Sequence, residues 1–229
     1  MELTLWQYEI SPFCDKVRRI LRFKRQAFTT REVSLFQTLS SLPKKNPAGK
    51  LPLIEAGGEV VCDSTEIAHW AERTFPDPPL IPRDPAKRAM CHALEDWADE
   101  SLYFYEMYLR FTLPHNAKRW IPELAHADSG AMKMASSFIV PRVIKKRLAA
   151  QGLGAKSFDG VMHDLDRHLE AVEGLLTAGP FLVGDALTVA DISVFAQLFC
   201  IRGADEGAAA IAKRAAIGAW MERVERATA

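Results

Sequence analysis

The sequence predicts an α/β domain of order β-α-β-α-β-β-α over residues 1–75, a proline-rich linker over 76–85 and an all-α helical bundle over 86–229. Three observations carry that reading. Short runs with strand character are confined to the first third of the chain. Five prolines fall in the twelve residues from Thr74 to Pro85, enough to exclude helix and favour a stiff extended linker. Beyond them apolar residues recur at helical spacing and strand-like runs nearly vanish.

Taken in order, Leu3-Thr4-Leu5-Trp6 alternates as a first strand. Ser11-Pro12 reads as an N-cap with proline at the first helical position, and Phe13, Val17, Ile20, Leu21 and Lys24 then repeat at helical spacing. Arg31 to Ser34 is a second strand, and Gln37 to Leu42 a short helix before the Asn46-Pro47 turn. Leu51 to Ile54 and Val60-Val61 flank Ala56-Gly57-Gly58-Glu59 as a hairpin. Pro52 stands at the entry of its first strand, where a proline withdraws a backbone donor and marks an edge, and where an X-Pro bond readily takes the cis form. The Leu51 amide and carbonyl are then expected to face outward, free to pair with an extended peptide.

Asp63-Ser64-Thr65 closes the hairpin and caps a helix from Ser64 to Arg73, with Ile67, Trp70 and Ala71 at helical spacing. Its start offers free N–H groups and a positive dipole end to a carboxylate, while Asp63 is suited to an ammonium. A backbone edge, a carboxylate site and an ammonium site together suit a small peptide bearing an amino-acid head.

In the helical half, Asp84-Pro85 caps a long helix through Leu94, Trp97 and Leu102 to about Arg110. A second apolar pattern runs from Met132 to Ala149 with a bend at Pro141. Ser157 caps a third helix whose Val161, Leu165, Leu169, Val172 and Leu176 face the core. Thr188-Val189-Ala190-Asp191 is a variant capping box, stapled by Leu187 and Ile192, that opens the helix Ile192 to Phe199 and serves folding.

Composition excludes several classes. With 48% hydrophobic and 25% charged residues the chain is an ordinary globular one. Lysines plus arginines equal aspartates plus glutamates at 29 each, so no net field attracts nucleic acid or an anionic membrane. There is no leader-like N-terminus and no run approaching a membrane span, and a cytoplasmic protein is expected. Cys14, Cys62, Cys91 and Cys200 lie far apart, which suits reduced thiols. No Cys/His cluster has metal-ligand spacing, so no metal is expected.

The stretch from Asn46 to Ile67, the linker, the helical half and the box at Thr188 together resemble the glutathione transferase superfamily, in order and at family spacing. The resemblance implies a thioredoxin-like N-terminal domain, glutathione as co-substrate, a small hydrophobic electrophile as second substrate, and a cytoplasmic homodimer. It implies that Leu51-Pro52 bind the cysteinyl backbone of glutathione, that Asp63-Ser64 hold its γ-glutamyl group, and that Lys50 reaches its glycyl carboxylate. Ser11-Pro12-Phe13 is similar to the S-P-F motif of tau-type members, making Ser11 the first candidate for activating the thiol and Phe13 a glutathione contact. Tyr8 is the rival hydroxyl. Cys14 is the candidate of an alternative reading, a glutathione-dependent thiol transferase or reductase; a third reading is a non-catalytic member that binds glutathione or a partner protein. Among the aromatic residues from Tyr103 to Trp120, Tyr108 and Trp120 are the expected wall for the second substrate. Met132, Met134 and Phe138 are further lining candidates.

Overall fold

The computed structural model describes residues 1–229. Four strands, β1 (Leu3–Gln7), β2 (Thr29–Glu32), β3 (Leu53–Ala56) and β4 (Glu59–Cys62), form one sheet in the order β2-β1-β3-β4. β1 and β2 run parallel, whereas β3 is antiparallel to both β1 and β4. The helices α1 (Pro12–Phe23), α2 (Leu35–Ser40) and α3 (Ser64–Thr74) complete the expected order. Gly57 and Gly58, with φ of 56° and 93°, make the tight β3–β4 turn that only glycine adopts without strain.

One expectation needs correction. Pro52 does not mark a sheet edge, because β3 is an inner strand and β4 forms the edge. Pro52 sits immediately before the first paired residue, Leu53, so its missing N–H removes no ladder bond. The Leu51-Pro52 bond is cis, as is Asp77-Pro78.

The helical half contains α4 (Pro85–Trp97), α5 (Tyr103–Phe111), α6 (Pro114–Leu124), α7 (Gly130–Gln151), α8 (Phe158–Leu176), α9 (Val189–Arg202), α10 (Asp205–Ala212) and α11 (Ala215–Thr228). The helix expected to run from Pro85 to about Arg110 is a single rod interrupted by a π-helical turn, Ala98–Leu102. α6 escaped the sequence reading because Pro122 lies inside it and masks the period. α7 passes through Pro141 and ends at Gly152, in the left-handed region with φ 103°. Ser157 caps α8, accepting from the Gly160 amide at 3.2 Å.

A continuous apolar core runs through both halves. α9 is its axis, with Ile192, Val194, Leu198 and Ile201 all fully buried. Burial on every side, and not one amphipathic stripe, is why its sequence is apolar all round. α1 is held against α9 and α11 by Arg19, whose Nε donates to Asp15 at 2.7 Å, Nη1 to Thr228 at 2.8 Å and Nη2 to Glu225 at 3.0 Å. The guanidinium also lies 4.1 Å from the Phe195 ring centroid, a cation–π arrangement. The proline-rich stretch is extended but pinned: Leu80 is buried and its amide donates to Glu72 at 3.1 Å.

The carboxylate of Asp191 organises the capping box. It accepts the Leu182 amide at 2.8 Å, the Thr188 amide at 2.9 Å, the Thr188 hydroxyl at 2.8 Å and the Trp220 indole N–H at 3.0 Å. One side chain thus fixes the start of α9, the preceding turn and α11. Asp191→Ala is expected to destabilise the fold by on the order of 3–5 kcal/mol, since it orphans several buried donors. Urea denaturation of the variant beside the parent measures this.

Candidate active site

The sheet register brings the glutathione-site candidates together. Trp6 on β1 lies opposite Leu53 on β3, which lies opposite Cys62 on β4. The loop after β1, the Leu51-Pro52 segment before β3 and Asp63-Ser64 after β4 therefore leave the same end of the sheet. α1 and α3 both begin there, so two helix N-termini converge where an anionic group is favoured. The Leu51 backbone makes no hydrogen bond within the protein, and the nearby Asp63 amide donates to the Pro52 carbonyl at 3.3 Å. The outward-facing edge expected at Leu51 is thus formed, though by a pre-strand segment.

Ser11 is the N-cap of α1, and its hydroxyl accepts the Cys14 amide over a long 3.5 Å contact. That contact uses an oxygen lone pair and leaves the hydroxyl proton uncommitted. Phe13 projects against Tyr103, their centroids 4.7 Å apart in edge-on geometry. Tyr8 is engaged differently: its hydroxyl is hydrogen-bonded to Thr38 of α2, and burial pushes its pKa up to about 12. Cys14 is fully buried, and burial pushes its thiol up to about 11. A thiol so placed is a small apolar core group with little thiolate to offer.

Asp63 combines a left-handed φ of 77° with a carboxylate that caps α3, Oδ1 accepting from Thr65 at 2.9 Å and from Glu66 at 3.4 Å. Its second oxygen carries no hydrogen bond. Ser64 is buried, and its Oγ accepts from the Lys16 ammonium at 3.5 Å. Lys50 is exposed beside Gly49, and its carbonyl accepts the Asn46 amide group at 2.8 Å.

Lys16 was missed by sequence reasoning. It is fully buried, donates to Asp99 at 2.7 Å and to Thr65 at 3.4 Å, and is paired with Glu95. It joins α1, α3 and the α4 rod beneath Ser64. Burial opposes its charge, yet Asp99 and Glu95 more than compensate and hold its pKa above the ordinary value. Burial raises the Asp99 carboxyl to about 6 despite the lysine. The available signal was a lysine on the apolar stripe itself, three residues after Phe13 and four before Ile20.

Beside Ser11 opens a cleft of about 550 Å³ between the β1–α1 loop and the ends of α5, α6 and α9. Trp120 lines it; Tyr108, Met132, Met134 and Phe138 do not, and Met134 and Phe138 stand exposed on α7. The Trp120 indole N–H donates to the Gly203 carbonyl at 2.9 Å. A side chain at position 203 would bring its Cβ within 2.8 Å of that indole, so glycine is required there. The lining departs from the hydrophobic wall expected: Ile10, Trp120, Phe199 and Cys200 are interspersed with Glu9, Asp15, Arg18, Arg110, Glu123, His126 and Arg202. No group of three or more His, Cys, Asp or Glu side chains is placed to hold a metal, and no helix is long and apolar enough to cross a membrane.

A four-stranded mixed sheet with two helix N-termini at one end, docked on a helical bundle, defines a two-domain thioredoxin-like protein. Residues 5–79 match the family model of the glutathione S-transferase N-terminal domain, and residues 155–223 that of its C-terminal domain. The chain belongs to the glutathione S-transferase family. It is 27% identical over 202 residues to a Drosophila melanogaster protein named "Probable maleylacetoacetate isomerase 1", covering 85% of this chain and 67% of that one. It is also 27% identical over 205 residues to "FtsZ-localized protein A" of Caulobacter vibrioides, covering 88% and 78% respectively. A glutathione S-transferase structure from Rhodospirillum rubrum superposes with a TM-score of 0.71 at 23% identity, over 97% of this chain and 87% of that one.

Because the fold favours protonated Asp99, its contribution to stability is highest at acid pH and falls as pH rises from about 4 to about 6. Asp99→Asn abolishes that fall while Glu95 still balances Lys16. The stability of the variant relative to the parent is expected to improve by on the order of 2 kcal/mol between pH 4.5 and pH 7.5. Denaturant titrations at the two pH values read the difference directly.

Proposed function

We propose that this chain is a glutathione transferase in which the Ser11 hydroxyl stabilises the thiolate of bound glutathione for attack on an electrophile in the adjacent cleft. The carrying observation is the position of Ser11: it caps α1 through a lone pair, keeps its proton free, lines the cleft, and lies at the sheet end where the Leu51-Pro52 segment also lies. Glutathione would lie with its cysteinyl backbone on Leu51-Pro52, its γ-glutamyl carboxylate at the α3 N-terminus near Ser64, and its ammonium at Asp63. Phe13 and Lys50 complete the contacts in this reading.

The chemistry balances simply. The thiol proton leaves to solvent as the thiolate forms under the Ser11 donor and the α1 dipole. Sulfur then forms a bond to the electrophilic carbon, and a leaving group departs with the electrons of the bond that breaks. In an addition, the displaced electron pair instead takes a proton from water. Holding thiolate and electrophile together supplies proximity, and the fixed donors supply electrostatic stabilisation.

A thiol-transfer role for Cys14 is disfavoured by its burial and its raised thiol pKa. A homodimer belongs to the transferase reading, and sedimentation of the purified protein tests it.

The decisive measurement is a pH titration of thiolate absorbance for bound glutathione. In the parent the thiol is expected to titrate about 2 units below free glutathione, and Ser11→Ala is expected to lose most of that shift with a fall in kcat of about 10²-fold or more. Cys14→Ser should keep the shift. An unshifted thiol in the parent would leave a glutathione-binding protein without transferase chemistry.

A further inference from the structure

We propose that Arg110 is the receptor for a carboxylate carried by the second substrate, so that this cleft selects acidic electrophiles over neutral ones. The inference names the substrate class of the proposed transferase site and rests on that reading for the reaction, though not for the binding.

Arg110 is only 1% exposed and still lines the cleft beside Ser11. A buried guanidinium must satisfy five N–H groups, and this one satisfies few of them. Its Nη1 donates to the Ile10 carbonyl at 3.1 Å and to Glu106 at 3.2 Å. Its Nε is buried without any partner, and Nη2 makes no hydrogen bond within the protein. Native structures leave few buried donors unpaired, and this one belongs to a side chain that lines the cleft.

The other charges of the cleft are already committed or peripheral. Asp15 is held by Arg18 at 3.2 Å and Arg19 at 2.7 Å. Arg18 is in turn engaged by Gln7 at 2.7 Å and the Glu9 carbonyl at 2.9 Å. Glu9, Glu123, His126 and Arg202 are exposed at the rim. At depth, the uncommitted hydrogen-bonding capacity is that of a cation.

The group is also held in place. The Trp120 ring lies 4.1 Å from its guanidinium carbon, Glu106 grips one nitrogen, and Ile10 anchors it to the residue next to Ser11. A fixed planar fork whose Nε and Nη2 edge is free matches a carboxylate with two parallel N–H bonds. Because Ile10 and Ser11 are adjacent, an acid seated there would bring the remainder of a small substrate to the thiolate. A volume of about 550 Å³ accommodates such a molecule.

The test uses 4-chloro-3-nitrobenzoate and its methyl ester, which undergo the same substitution with a thiolate: the C–S bond forms, the C–Cl bond breaks and chloride leaves. The ester reacts faster in solution because it withdraws more electron density than a carboxylate. Binding of their two glutathione conjugates is measured by calorimetry, and kcat/KM is measured for the two electrophiles, each divided by its uncatalysed rate constant with glutathione. The parent should bind the acid conjugate about tenfold or more tightly than the ester conjugate, with the rate enhancement over the uncatalysed reaction following the same order. Arg110→Gln should bring the acid-to-ester ratio to within about threefold of unity, and Arg110→Lys should restore it only in part.

A parent ratio near one, or in favour of the ester, overturns the proposal whatever the variants do. A folded Arg110→Gln protein that keeps the parental ratio overturns it too, since another group would then hold the acid. If Arg110→Gln does not fold, the double variant Glu106→Gln/Arg110→Gln, which removes both members of the buried pair, takes its place. A strong binding ratio together with an unshifted glutathione thiol and no turnover of either compound would support the carboxylate site and sink the transferase reading.

Discussion

A buried ammonium cannot stand alone, and much of this structure follows from how Lys16 is satisfied. Removing such a group from water is so unfavourable that its counter-charges must already be in place. They come from Glu95 on α4 and Asp99 in the π-helical turn, while Ser64 and Thr65 of α3 accept from the same nitrogen. The contact therefore fixes α1 against the helical bundle and supports the residue expected to hold the γ-glutamyl carboxylate. Burial is what raises the pKa of Asp99, and the second carboxylate, Glu95, adds to that rise against the pull of the lysine. A π-helical turn at that point carries Asp99 toward the interface, in keeping with the frequent use of such turns near functional sites.

The second constraint is the sheet register. Pairing Trp6 with Leu53 and Leu53 with Cys62 gathers three loops at one end of the sheet without any loop needing to be long. The helical half then closes the space beside Ser11. Trp120, seated on the bare backbone of Gly203 and stacked on Arg110, forms the wall between the two halves. Glycine at one position thus permits the aromatic stacking that orients a buried cation.

Much of this was legible in the residues. Punctuation by Asn46-Pro47 and Gly57-Gly58, the caps at Ser11, Ser157 and Thr188, and the alternation of Leu3 to Trp6 each express local backbone chemistry, and each produced the element expected. What could not be read depended on distant partners. Pro52 was taken for an edge residue because strand order in a sheet is a long-range property. α6 was overlooked because Pro122 disguises its period, and α10 because its alanines show no apolar stripe. The charged character of the cleft was invisible for the same reason: Glu9, Arg110, Glu123 and Arg202 lie far apart in sequence and meet only through the packing of α5, α6 and α9 on the β1–α1 loop. Lys16 shows the complementary failure, since a lone lysine in a helix reads as solvated until its counter-ions are known.

The placement of the cysteines bears on how such a protein survives its own chemistry. An enzyme that gathers electrophiles beside an activated sulfur is exposed to self-alkylation if its own thiols compete. Cys14 lies three residues from Ser11 and Cys200 lines the cleft itself, yet both are buried and burial drives both thiols upward. Their sulfurs are held protonated and poorly nucleophilic, so in the proposed transferase reading the bound tripeptide is left as the sulfur that reacts. Burial here acts as chemical immunity: the protein keeps its own thiols inert beside the cleft in which the proposed reaction would make another one reactive.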